Sequence, residues 1–182
     1  MKTVTMKERK GEYSMETMRR LTVTAVMAAM ITLMTAYIFH IPVGIHGGYV
    51  HLGDALIYLA ATILPLPYAC AAGIIGGGLA DLLTAPMWAP ATMIIKGMIC
   101  IPFSRKGNKI ISKNNLFALL AAGLITILGY YIAEGILYGF TMAFFVSITG
   151  NAVQAAGSAA VYIVFASALD KIGFKMRFCR EL

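Results

Sequence analysis

Fourteen of the fifteen Lys and Arg residues lie in three tight clusters, and long apolar segments separate the clusters. Lys2, Lys7, Arg9, Lys10, Arg19 and Arg20 form the first; Arg105, Lys106, Lys109 and Lys113 the second; Lys171, Lys175, Arg177 and Arg180 the third. Lys96 stands alone. Cationic residues flanking membrane spans stay on the cytoplasmic side, so each apolar stretch must leave that side and return by an even number of crossings. The pattern predicts an all-α, polytopic membrane protein with both termini cytoplasmic.

Composition excludes the main alternatives. With 59% apolar and 13% charged residues, the chain lacks the polar surface that a soluble domain of this length needs. Its net charge of +7 sits at the membrane flanks, where topology and anionic lipid account for it, and no basic face interleaved with aromatics suggests nucleic acid. Cys70, Cys100 and Cys179 have neither disulfide-framework nor zinc spacing. The first apolar segment is long and no small-residue cleavage site follows it, so it reads as a retained helix.

Residues 1 to about 17 are polar and Met-rich and read as a cytoplasmic arm or surface helix. Six membrane helices are expected within 18–170, at about 21–39, 53–64, 68–84, 91–103, 116–138 and 147–169, followed by a basic tail, 171–182. The first has nineteen residues, about 28 Å at helical rise, one hydrocarbon thickness. The outer connections are His40–His51, Pro86–Pro90 and Gly139–Phe145, and none carries Lys or Arg.

Polar residues inside such segments cost a few kcal/mol each unless paired or facing a cavity. They are Asp54, Asp81, Lys96, Glu134, Asn151 and Gln154. Ser147, Asn151, Gln154 and Ser158 form one stripe on the last helix, either interhelical glue or a ligand face. Tyr131, Glu134 and Tyr138 share a face near the outer end of the fifth, where Glu134 either reaches the interface or meets a ligand. Lys96 is expected to pair with Asp81 or Glu134, or with a polar substrate. Asp54, opening the second helix, reads as a helix N-terminal charge. His46, Tyr49, His51 and Trp88 lie in outer loops, suited to lidding a pocket or to anchoring at the interface. The three His, at spacings of six and five, match no familiar metal pattern. On the first helix Ala25, Ala29, Thr32 and Ala36 form a stripe of small residues that admits close approach of another helix, from this chain or a partner.

Taken in order, Ala25-x-x-x-Ala29, Leu52-Gly-Asp54, Gly77-Gly-Leu-Ala-Asp81-Leu82, Ala89-Pro-Ala-Thr92 with Ile95-Lys-Gly97, and Asn151-x-x-Gln154 resemble the substrate-binding S component of an energy-coupling factor (ECF) vitamin transporter. The branch most resembled is the HmpT-like group, with a looser likeness to the riboflavin S component RibU. The resemblance implies a six-helix bundle in the cell membrane of a prokaryote, working with a transmembrane coupling subunit and two ATPases. It assigns Ala25 and Ala29 to the coupling-subunit contact, the first outer loop to gating, and Lys96, Glu134, Asn151 and Gln154 to the substrate site. The chain has no G-x-x-x-x-G-K-[ST] loop, so ATP hydrolysis is expected of the partners and no cofactor of this subunit.

Amide, carboxylate, ammonium and aromatic groups together suit a small planar heterocycle, such as a pyrimidine, pyridoxine-like or deazapurine compound, better than a large flavin. The competing class is an autonomous secondary transporter or channel with Glu134 and Lys96 as ion relays, although no inverted repeat supports it. An intramembrane enzyme would need convergent His, Cys or carboxylate pairs, and the sequence does not supply them.

Overall fold

A computed structural model describes residues 6–38, 40–42 and 49–181. The chain runs α1 (Met6–Ala36), a two-residue antiparallel ladder of β1 (Ile41–Pro42) and β2 (Tyr49–Val50), α2 (Asp54–Ile63), α3 (Leu66–Thr84), a 3-10 turn (Pro86–Trp88), α4 (Ala89–Met98), α5 (Lys113–Tyr138), α6 (Phe140–Lys171) and α7 (Phe174–Glu181). In the ladder Ile41 faces Val50 and Pro42 faces Tyr49.

Four helical stretches among the described residues are long and apolar enough to cross a bilayer: Met15–Ala36, Leu66–Thr84, Lys113–Tyr138 and Ser147–Lys171. The ten-residue α2 and α4 are not. Each is about 15 Å long, half a hydrocarbon thickness. α2 is instead sheathed in protein, with Asp54, Ala55, Ile57, Tyr58, Ala60, Ala61, Thr62 and Ile63 all buried.

Prolines explain where these short elements stop. Leu64, before Pro65, is extended at φ −92° and ψ 155°, the geometry a following proline enforces. Pro67 lies in the first turn of α3, where its missing N–H costs nothing, so α3 begins at Leu66 and not at 68. α4, expected to reach 103, ends at Met98 and gives way to tight turns joining Ile101 N–H to Met98 O and Phe103 N–H to Cys100 O. Pro102 cannot continue a helix there.

Three boundaries differ more. The N-terminal arm continues α1 as one helix, because residues 6–20 are rich in Met, Lys, Arg and Glu, all good helix formers. The wide outer turn expected at Gly139–Phe145 contracts to Gly139 alone. Its φ of 95° admits few other residues, its N–H caps Gly135 O, and α6 starts at once. The tail forms α7, with Phe174 and Phe178 stacked at 5.0 Å. Lys175 Nζ donates to Lys109 O, while the Asp170 carboxylate accepts the N–H groups of Ile110 and Ile111. The second and third basic clusters therefore meet at one end of the bundle.

α3 is the central packing element. A Cβ at Gly76 would lie 2.8 Å from Ala28 O of α1, and one at Gly77 2.8 Å from the Lys96 stem on α4. Thr32 Oγ1 of α1 also donates to Gly76 O at 3.0 Å. Absent side chains here let two helices close on α3 from different sides, as small residues do in membrane packing. Gly76→Val is expected to lower stability by about 1–3 kcal/mol through overpacking. A fall in the thermal midpoint of purified protein checks this, with Gly123→Ala as a near-neutral control because the added Cβ would meet only the Ala155 Cβ, at an ordinary 3.5 Å. Equal midpoints for Gly76→Val and wild type would contradict the close-packing account.

Candidate functional site

The solitary Lys96 finds its partner in Asp54, not in Asp81 or Glu134. Lys96 Nζ lies 2.7 Å from Asp54 Oδ1, and both side chains are fully buried. Asp54 sits in the first turn of α2, so the helix N-terminus stabilises the same carboxylate that the ammonium does. Removing either member of such a pair costs about 3–5 kcal/mol, because the other is left buried and uncompensated.

Further groups extend the pair. Gln154 on α6 donates from Nε2 to Asp54 Oδ2 at 3.1 Å and accepts from the His51 N–H through Oε1 at 3.3 Å. His51 Nδ1 accepts the Gly53 N–H at 3.0 Å and lies 3.5 Å from Thr35 Oγ1 of α1. That pattern places the ring proton on Nε2. On the other side Lys96 Nζ stands 5.3 Å from the centre of the Tyr130 ring, within cation–π range, and Tyr130 OH hydrogen-bonds Thr92 Oγ1 at 2.8 Å. One buried polar chain thus links α1, the segment before α2, α2, α4, α5 and α6.

An aromatic group adjoins it. Trp88 packs edge-on against Tyr130 at 6.3 Å and tilted against Tyr138 at 6.2 Å, and Tyr138 OH donates to Met87 Sδ. Trp88 is buried, and its indole N–H has no hydrogen-bond partner among the described residues. An unmet buried donor beside two phenols is a place for a polar ring edge.

The other expected residues divide. Glu134 is buried on α5, one turn from both Tyr130 and Tyr138. Tyr131 turns away from this stripe and packs on Phe140 at 5.7 Å. Of the stripe on α6, Ser147, Gln154 and Ser158 are buried, whereas Asn151 is half-buried and returns its amide N–H2 to Ser147 O and Oγ. Tyr49 contributes its backbone to β2, and His46 lies outside the described residues. Ala25 and Ala29 are exposed, while Thr32 and Ala36 turn inward, so the alanine stripe is split between two faces. Sequence reasoning missed Tyr130, Thr92 and Thr35, and passed over Asp54. The signal for Asp54 was present: a lone buried cation demands an anion, and Asp54 opens a helix too apolar to reach water.

The family described as ECF-type riboflavin transporter, S component, matches residues 15–171. The chain belongs to this family. S components are substrate-binding transport subunits and not enzymes. A protein of Pyrococcus woesei, described as an uncharacterized protein in the gap 3′ region, is 32% identical over 108 residues, 58% of this chain and 72% of the relative.

Burial holds the His51 imidazole neutral, pushing its pKa from 6.5 down to about 3, and the Lys96 charge acts in the same direction. The unfolded state then binds the extra proton first, so this contribution to stability is complete above pH 6.5 and is lost as pH falls towards 3. Between pH 6.5 and 5 the loss is expected to be about 2 kcal/mol. Thermal denaturation of purified wild type and His51→Gln at both pH values checks it. The variant should lose less on acidification, and equal losses would remove His51 from the account.

Proposed function

We propose that this chain is the substrate-capturing subunit of an ECF-type importer, which takes up a planar heterocycle outside and passes it inward with a transmembrane coupling subunit and two ATPases. The supporting observation is the assembly of buried Lys96, half-buried Tyr130 and buried Trp88, whose indole N–H has no partner among the described residues. Aromatic faces and a few convergent polar groups are what a heterocycle with hydrogen-bonding edges requires. The family's description names riboflavin, which makes riboflavin the first ligand to try, ahead of pyrimidine, pyridoxine-like and deazapurine compounds.

The chain crosses the membrane six times in this reading, with both termini cytoplasmic. α2 and α4 are short for a crossing, but irregular backbone at membrane depth is tolerated where protein surrounds it. Cys179 Sγ of the tail lies 3.5 Å from Ile63 O, so the end of α2 returns to the basic end of the bundle. Ala25 and Ala29, exposed on α1, form the coupling-subunit contact, and gating belongs to the segment joining α1 to α2.

Ala29→Trp separates capture from transport. The purified variant should bind ligand as wild type does, while uptake in cells and co-purification of the ATPases are lost. Native mass spectrometry of protein purified from cells fed riboflavin identifies the retained ligand. Unimpaired uptake by the variant, or uptake by the wild-type chain in vesicles lacking any ATPase, would favour a self-sufficient carrier.

A further inference from the structure

Five exposed cations meet at one end of the bundle. Lys106, Lys109 and Lys113 come from the connection between α4 and α5 and the first residue of α5, Lys171 from the last turn of α6 and Arg177 from α7. None of the five forms an ion pair with a described residue. Residues 104–133 hold no Asp or Glu, and after Asp170, whose carboxylate already accepts the Ile110 and Ile111 N–H groups, only Glu181 follows. The preference of flanking cations for one side of the membrane fixes only which side they occupy; here hydrogen bonds fix their arrangement as well. Asn115 Oδ1 accepts the Ser104 N–H at 2.9 Å, and its Nδ2 donates to Ser104 O at 3.1 Å and to Ile110 O at 2.8 Å. Tyr162 OH donates to Ile110 O from α6, and Lys175 Nζ to Lys109 O from α7. The connection is thus pinned to α5, α6 and α7, which holds its cations near those of the tail.

Large apolar side chains are exposed beside these charges. Leu116 and Phe117 lie on the turn of α5 that begins at Lys113, while Ile172 and Met176 stand next to Lys171 and Arg177 in the chain. α7 has two faces: Phe174 and Phe178 pack on the core, whereas Met176 and Arg177 are exposed. Cations with exposed apolar groups beside them match the boundary between lipid phosphates and acyl chains, as in an amphipathic helix lying in the interface. We propose that this surface binds an anionic glycerophospholipid, its phosphate held by cations of the connection and the tail together and its acyl chains lying along the neighbouring apolar side chains. Ammonium and guanidinium groups that lack a carboxylate partner offer a phosphate charge-assisted hydrogen bonds. An acidic protein would answer the charges and leave the apolar groups beside them unmet. The surface uses none of the residues around Lys96, so it stands or falls independently of ligand capture.

Phosphatidylglycerol and phosphatidylcholine with the same acyl chains differ in headgroup charge, so the ratio of their affinities for purified protein in detergent, read as lipid adducts by native mass spectrometry, measures the preference. Wild type should favour phosphatidylglycerol by about 10-fold, the effect of one or two direct cation contacts. Lys106→Gln/Lys109→Gln/Arg177→Gln should bring the ratio to about 1. Lys7→Gln/Arg9→Gln/Lys10→Gln, which removes the same number of charges from the first cluster, should leave it near the wild-type value. Lys113→Gln/Lys171→Gln carries the test if the first triple variant does not purify as a folded species. Equal wild-type affinities for the two lipids, or equal loss of preference in the two triple variants, overturns the site. Inorganic phosphate that displaces phosphatidylglycerol where chloride of equal ionic strength does not would make it a free-phosphate site and overturn the lipid assignment. So would a variant that keeps the wild-type lipid preference but no longer co-purifies with the ATPases, which would assign the surface to a protein partner.

Discussion

The buried ion pair between Lys96 and Asp54 is the constraint from which the site's organisation follows. Two charges leave water at a cost that close mutual approach has to offset. The chain achieves that approach by bringing three helices to one point. α4 supplies the ammonium, α2 the carboxylate at its N-terminus, and α6 the amide that holds the second oxygen. Through Gln154 the same carboxylate is tied to the backbone of His51, and through His51 to Gly53 and Thr35. The ion pair is therefore linked, through Gln154 and His51, to the backbone that enters α2 and to Thr35 of α1.

Such a meeting point is possible because α3 offers backbone where other helices offer side chains. Gly73 and Gly77 receive α4 at the level of Lys96, and Gly76 receives α1 at Ala28 and Ile31. In lipid, helices gain little from burying apolar surface against one another, so close van der Waals contact and backbone-directed hydrogen bonds take its place. The Thr32 hydroxyl bonded to Gly76 O is one of these. The glycines thus set the depth at which Lys96 sits, and with it the geometry of the pair.

Much of this was legible in the residues. The three basic clusters announced a polytopic membrane protein, and the ordered motifs pointed to the S-component family that the comparison with known sequences shows. Lys96 and Gln154 stood out because polar groups in apolar helices must be accounted for, and both lie in the buried network. The partner of Lys96 was not legible, because contacts between residues 42 positions apart depend on how α3 places α2 against α4. Tyr131 was singled out where Tyr130 faces Lys96, since a one-residue error on a helix is a rotation of about 100° and the aromatic run at that point gives no phase. Asn151 and Gln154 read alike in the sequence, yet one turns back on its own helix and the other crosses to α2. The extension of α6 to Phe140 escaped notice because a single glycine at positive φ did the work expected of a seven-residue turn.

The central claim is that Asp54 is ionised and paired with Lys96 within the bundle. The infrared difference spectrum between wild-type protein and Asp54→Asn measures this directly, because ionised and protonated carboxyl groups absorb in separate regions. The account predicts that the variant loses the symmetric and antisymmetric stretches of a carboxylate. Loss of a protonated-acid carbonyl band in their place would show a neutral Asp54 and contradict it.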